Sequence, residues 1–203
     1  RGDLELFAES TGRIQSFTLA GALAGALSSQ GRGIGVSGAG SGSINEIDAD
    51  TTATLKTSTV DVGGEVTVGA ATTAEITAGA GAIAVAFSKS TGSTAGSGAV
   101  GGAFAINNLG TDTDENRVWA LIEDSDVTAG GDITVEADMS AEILAVGIAG
   151  SAALASSSGG SAFAIAVAGT VGASKIRNST QARVRNASTL PGDAGSLTVD
   201  AGS

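Results

Sequence analysis

The side chains of this chain that could act together chemically are carboxylates. Its 203 residues hold 21 Asp and Glu against 10 Lys and Arg, and there is no His, Cys or Tyr. Nucleophile–base sets of the Ser–His or Cys–His kind are therefore impossible, and so are thiolate metal sites and disulfides. The carboxylates concentrate in one string, Asp112-Thr113-Asp114-Glu115-Asn116, with Glu123 following. Asp112, Asp114, Asn116 and Glu123 fall at the first, third, fifth and twelfth positions of a calcium-type loop, which suits a hard, oxygen-preferring cation. Arg117 stands where such a loop needs glycine, and residues 118–122 read as strand, so the string also fits a solvated acidic loop. Calcium is the one ion the sequence suggests; no other cofactor is expected.

Trp119, the only Trp, precedes Asp124 on the same segment. An aromatic beside a carboxylate is a common sugar-binding arrangement, and these two are the candidate ligand-binding residues. The plainer alternative is a strand Trp packed at an edge. A carboxylate pair for glycoside cleavage could come only from Asp112, Asp114, Glu115, Glu123 and Asp124. No other part of the chain repeats that cluster, no Lys lies near it, and no loop is long enough to wall a pocket, so the chain is not expected to be an enzyme. Arg1-Gly2-Asp3 spells an integrin-binding tripeptide. Gly2-Asp3-Leu4 nevertheless fills the slot that Gly131-Asp132-Ile133 fills without an Arg, which reads as a turn entering a strand.

The elements that must position these groups are set by an internal repeat. The motif Gly-x-apolar-x-apolar-x-Ala begins at Gly2, Gly64, Gly131 and Gly195, at spacings of 62, 67 and 64 residues. From its Ala to Ile14, Ile76 or Ile143 is 6 residues, and from there to Ile47, Leu109 or Ile176 is 33, every time. Length varies only near residues 110–116 and 191–194, which marks both places as loops. The units run about 2–63, 64–130 and 131–194, with a fourth beginning at 195–203, all in a single repetitive segment. The chain opens and closes inside its own motif, so it reads as a fragment of a longer array.

Each unit offers two long and two short strands, and no helical period appears anywhere. The short ones include alternating runs at 52–60, 118–127 and 181–190 that end at turn residues. In the long ones alternate positions are tiny, as in the columns Ala20/Ala82/Ala149 and Ala24/Ala86/Ala153, while the intervening face carries Phe17, Leu19, Leu23, Ile148 and Leu154. Side chains alternate across a strand, so a bulky face is segregated from a smooth one. The bulky face is the expected core. The smooth face carries almost no charge: it lies against another backbone at close range, the reading favoured here, or it is exposed and sticky. One unit has too little bulk to fold well alone, so units must stack. A typical β-helix coil is roughly a third of this repeat, so each unit supplies two or three coils, or one coil and a protruding hairpin arm.

Composition agrees with strands. Gly accounts for 32 residues, aromatics for 3%, and Val, Ile, Thr, Ser and Ala fill most of the rest. Positive mean hydropathy and periodic apolar residues argue against disorder. A net charge of −11 argues against nucleic acid and anionic membrane surfaces as partners. No run reaches the ~18 apolar residues of a membrane helix, and the aromatic girdles of a membrane barrel are missing, so no membrane insertion is expected.

The runs "ALIEDSDVTAGGDITVEA" (120–137) and "ATLKTSTVDVGGEVTVGA" (53–70) resemble rungs of large exported bacterial proteins: filamentous-haemagglutinin-like adhesins, leukotoxin-type filamentous adhesins and autotransporter passengers. The Ala/Gly/Ser-rich blocks with "GGAFAINN" (101–108) look like the intervening repeats of those chains. The resemblance covers all three units and rests on patterning. It implies an all-β, right-handed parallel β-solenoid, secretion to the bacterial cell surface, and a role in adhesion or as a stalk. The partners it implies are neighbouring repeats of the same protein or further copies of it, and a host surface or polysaccharide. A calcium-dependent or carbohydrate-binding recognition module centred on residues 110–123 is the alternative.

Overall fold

A computed structural model describes residues 2–111, 115–193 and 195–203. The chain is all-β and its sheets are parallel; no helix occurs among the described residues. A first circuit holds β1 (Leu4–Ser28), β2 (Gly33–Ile47), β3 (Asp50–Lys56) and β4 (Thr59–Asp61). The second holds β5 (Val66–Ser90), β6 (Ala95–Leu109), β7 (Asn116–Glu123) and β8 (Asp126–Thr128). The third holds β9 (Ile133–Ser157), β10 (Ala162–Ile176), β11 (Asn178–Arg185) and β12 (Ser188–Leu190), after which β13 (Leu197–Gly202) follows. Equivalent strands pair with one another, giving sheets ordered β1-β5-β9-β13, β2-β6-β10, β3-β7-β11 and β4-β8-β12.

Pairing follows the repeat residue by residue. Leu6, Val68, Val135 and Val199 are successive partners, as are Ile14, Ile76 and Ile143. Each unit thus makes a single circuit, not two or three coils. The 25-residue strands span roughly 80 Å at about 3.3 Å per residue. They stay unbroken because they contain no Pro; Pro191 lies in the connection between β12 and β13.

Two regions are built on these strands. In the body, the first part of each long strand turns its larger residues inward. Val66, Val68, Ile133 and Val135 are fully buried with Leu109, Val118 and Ile122. The outward positions there carry charge, and partner strands pair it: Arg13 with Glu75 at 3.1 Å, Lys56 with Glu123 at 3.3 Å, Arg117 with Asp50 at 3.2 Å. Exposed pairs of this kind add little stability, but they favour this register over a slipped one.

Beyond the body the long strands continue as a two-layer blade. The second part of β1, β5 or β9 folds back through a Ser/Gly-rich turn and lies face to face on β2, β6 or β10. Here the expected core is overturned. The small residues face inward, with Ala82, Ala84, Ala86, Ala99 and Ala105 sealed between the layers. The bulky residues face out: Phe17 is 76% exposed, Leu27 77% and Ile148 64%. The reason is geometric. Ordinary side chains hold stacked sheets about 10 Å apart, whereas Ala, Gly and Ser let two backbones come much closer. A Cβ on Gly101 would lie 2.5 Å from the Gly150 carbonyl oxygen across the seam, and one on Gly35 2.6 Å from that of Phe87. The favoured reading of the smooth face, close packing against backbone, is what the layers show.

The runs at 52–60, 118–127 and 181–190 are not single strands. Thr57, Asp124 and Asn186, with φ of 49°, 49° and 46°, turn the chain from one sheet to the next. Asn and Asp adopt this left-handed geometry with little strain; a β-branched Thr does so at a cost.

Candidate functional site

The proposed calcium ligands divide. Asp112 and Asp114 lie outside the described residues. Asn116 and Glu123 are the first and last residues of β7, seven positions and roughly 23 Å apart. They also point to opposite faces of the strand. Asn116 is fully buried and its Oδ1 accepts the Ala49 N–H at 2.7 Å. Glu123 faces outward to Lys56. The structure does not bring these two together, because seven residues of β-strand extend where a calcium-type loop would curl. No group of three or more His, Cys, Asp or Glu is placed to hold a metal among the described residues.

Trp119 and Asp124 are likewise separated. Trp119 sits on the outer face of β7, half buried, with the Arg117 guanidinium 5.4 Å from its ring centre and its Nε1 donating to Ser179 Oγ at 3.4 Å. This is cation–π and edge packing between circuits. Asp124 occupies the left-handed corner, and its Oδ1 accepts from Asn186 Nδ2 at 3.2 Å. Of the tripeptide, Arg1 lies outside the described residues, and Asp3 accepts the Glu65 N–H at 3.0 Å. Asp132 does the same for Ser196 at 2.6 Å. These aspartates tie the entry of one circuit to the next.

Sequence reasoning missed two features. The first is a rule obeyed by all five phenylalanines. Phe7, Phe17, Phe87, Phe104 and Phe163 each pair with a glycine directly across: Gly69, Gly79, Gly25, Gly42 and Gly96. A Cβ on any of these glycines would fall within 2.1–2.7 Å of the ring, so each ring lies over a bare backbone of the adjacent circuit and covers it. The register written in the 62- and 67-residue spacings contained this signal. Among these pairs, on the blade face of β1, β5 and β9, lies an open apolar groove of about 520 Å³, floored by Gly79 and Gly81 and walled by Phe17 and Leu19 on one side and Val146 and Ile148 on the other.

The second feature is the pair of open ends. Strand β2 nests over β1 and β5, and β6 over β5 and β9, but β10 has only β9 beneath it. Every residue of β10 is exposed in this chain, while β13 pairs with the first part of β9. An uncovered strand with free N–H and C=O groups accepts a further strand.

The chain matches no protein-family model, and no curated protein and no solved structure is significantly similar to it.

Proposed function

We propose that this chain is a structural and adhesive module of a large extracellular, cell-surface fibrous protein, and that it extends by strand addition at its ends. In this reading the parallel sheets are those of a right-handed β-solenoid of three 62–67-residue repeats with Ala/Gly-rich arms, the blade layers being the arms. The handedness follows from the strong preference of parallel β crossovers. The observation that carries the proposal is the half-covered β10. Its inward Ala164, Ala166 and Ala168 lie ready to seat a long strand like β9, and the sheets present unpaired edges beside it. Interior polar contacts also join successive circuits, as where the Asn45 amide donates to Asn107 Oδ1 at 2.8 Å. Such contacts fix register while apolar columns supply burial.

End growth should be seen by light scattering as particles that lengthen with protein concentration. A net charge of −11 opposes association, so salt should strengthen it once the Debye length falls to about 10 Å or less. An inward-pointing charge on an edge strand blocks such growth. Ala166→Lys, at an exposed position, should keep the fold and remain monomeric at both ends of the salt range. A wild type that stays monomeric at high concentration and high salt would overturn growth through strand edges.

A further inference from the structure

The outer faces of the blade carry the other unexplained chemistry. Residues 17–26, 79–88 and 146–155 of one layer, and 34–44, 96–106 and 163–173 of the other, contain no Asp, Glu, Lys or Arg; Lys89, the next outward position of β5, ends the uncharged face. All 31 charged side chains, 10 basic and 21 acidic, lie elsewhere. A strand that is uncharged on both sides is a strand buried on both sides, yet only the inner side is buried within this chain. Leu19, Leu23, Ile34, Val36, Ile165 and Val167 stand 56–74% exposed.

We infer that both outer faces of the blade are covered by the blades of further copies of this chain, packed layer on layer. The inference deepens the structural reading above by naming a lateral partner, and it concerns a surface different from the strand ends. Area argues for it. Eleven residues at about 3.3 Å by three strands at about 4.8 Å give a footprint of roughly 500 Å² per face. That is about the largest apolar patch an ordinary monomer shows, and here there are two. One face against another buries roughly 1,000 Å² in total, about the least a specific interface needs, and each chain offers two such faces. Copies therefore add on both sides, and the contact does not close into a simple pair. Shape agrees: the groove over Gly79 and Gly81 is a hole for a protruding Leu or Ile, and Gly98, Gly102, Gly150 and Gly169 leave further open dimples on the two faces.

A lipid bilayer is the competing occupant, since an apolar band about 36 Å long is close to a bilayer's thickness. The blade is a stack of two separate sheets and not a closed barrel, which tells against it. In hydrocarbon every backbone N–H and C=O needs an internal partner, which is why only helices and closed barrels cross membranes.

The chain has no Cys, so single cysteines report contacts directly. In the Ala166→Lys background, where end growth is blocked, Ile83→Cys and Val100→Cys at the middle of the two faces should form disulfide-linked dimers under mild oxidation. Thr54→Cys on the body should not. Adding Leu23→Lys and Ile148→Lys, both at exposed positions, should weaken lateral association at least about tenfold by sedimentation while leaving the strand circular-dichroism signal unchanged. Equal crosslinking at Thr54, or none at Ile83 and Val100, would overturn the inference and leave end growth standing. Flotation of the chain with neutral phosphatidylcholine vesicles, together with protection of Ile83→Cys from crosslinking, would overturn it in favour of lipid.

Discussion

Replacing Gly101 by Ala adds one methyl group at the narrowest part of the blade seam. The new Cβ would lie 2.5 Å from the Gly150 carbonyl oxygen and 3.5 Å from that of Ala82. Ordinary van der Waals contact begins at 3.4 Å, so the layers must part locally by about 0.9 Å, the difference between 3.4 and 2.5, or hold the methyl compressed. Overpacking of this size costs about 1–3 kcal/mol. Loss of glycine's unfolded-state freedom returns about 0.5–1 kcal/mol, which leaves a net loss of about 1–2 kcal/mol. At about 2–4 °C per kcal/mol for a chain of this length, Tm should fall by about 2–8 °C. The adjacent Gly102 points the other way, with nothing within 4 Å of its Cβ direction. Gly102→Ala should therefore raise Tm by about 1–4 °C, through the same entropy gain without the clash. Thermal melts of the two variants at one dilute concentration test which face is inside. Equal effects, or the reverse order, would refute the placement of the small residues at the seam.

Three further outcomes are expected. Asn107 Nδ2 is buried without a partner, and the residue paired with it in the third circuit is Ser174; Ser174→Asn should extend the Asn45–Asn107 ladder and add about 1 kcal/mol in urea unfolding. Thr57→Asn should add about 1 kcal/mol by relieving a β-branched residue held at φ 49°, whereas Asn186→Thr, the reverse change at the equivalent corner, should lose a similar amount in the same assay. Millimolar calcium should leave the melting curve unchanged, because Asn116 and Glu123 occupy opposite ends of β7; a calcium-dependent rise in Tm would show that the acidic string binds the ion by another geometry.

Much of the architecture was legible because the repeat constrains it. The invariant steps of 6 and 33 residues dictated which residues pair, and Ile14, Ile76 and Ile143 are partners as that spacing requires. The inside of the blade was harder to read. Bulky residues ordinarily mark a core, and they do so in the body at Val68 and Val135, but the same strand reverses the rule past Ile76. Both of its faces are uncharged there, so polarity could not tell them apart; only the distance at which two layers stack decides, and that is a tertiary property. The sheet corners were missed for a local reason, since Thr57 is an unusual residue for a left-handed turn even though Asp124 and Asn186 are ordinary ones. Of the calcium-type spacing, Asn116 and Glu123 fall at the two ends of one strand, while Asp112 and Asp114 lie outside the described residues.

The central claim, a circuit-by-circuit stack that extends through its open ends, is tested most directly by electron cryomicroscopy of the purified chain at high salt. The account predicts filaments with strands across the axis, a repeat of about 4.8 Å along it, and each three-circuit chain adding roughly 14 Å of length. Discrete particles of one chain at every concentration, or filaments whose strands run along the axis, would contradict it.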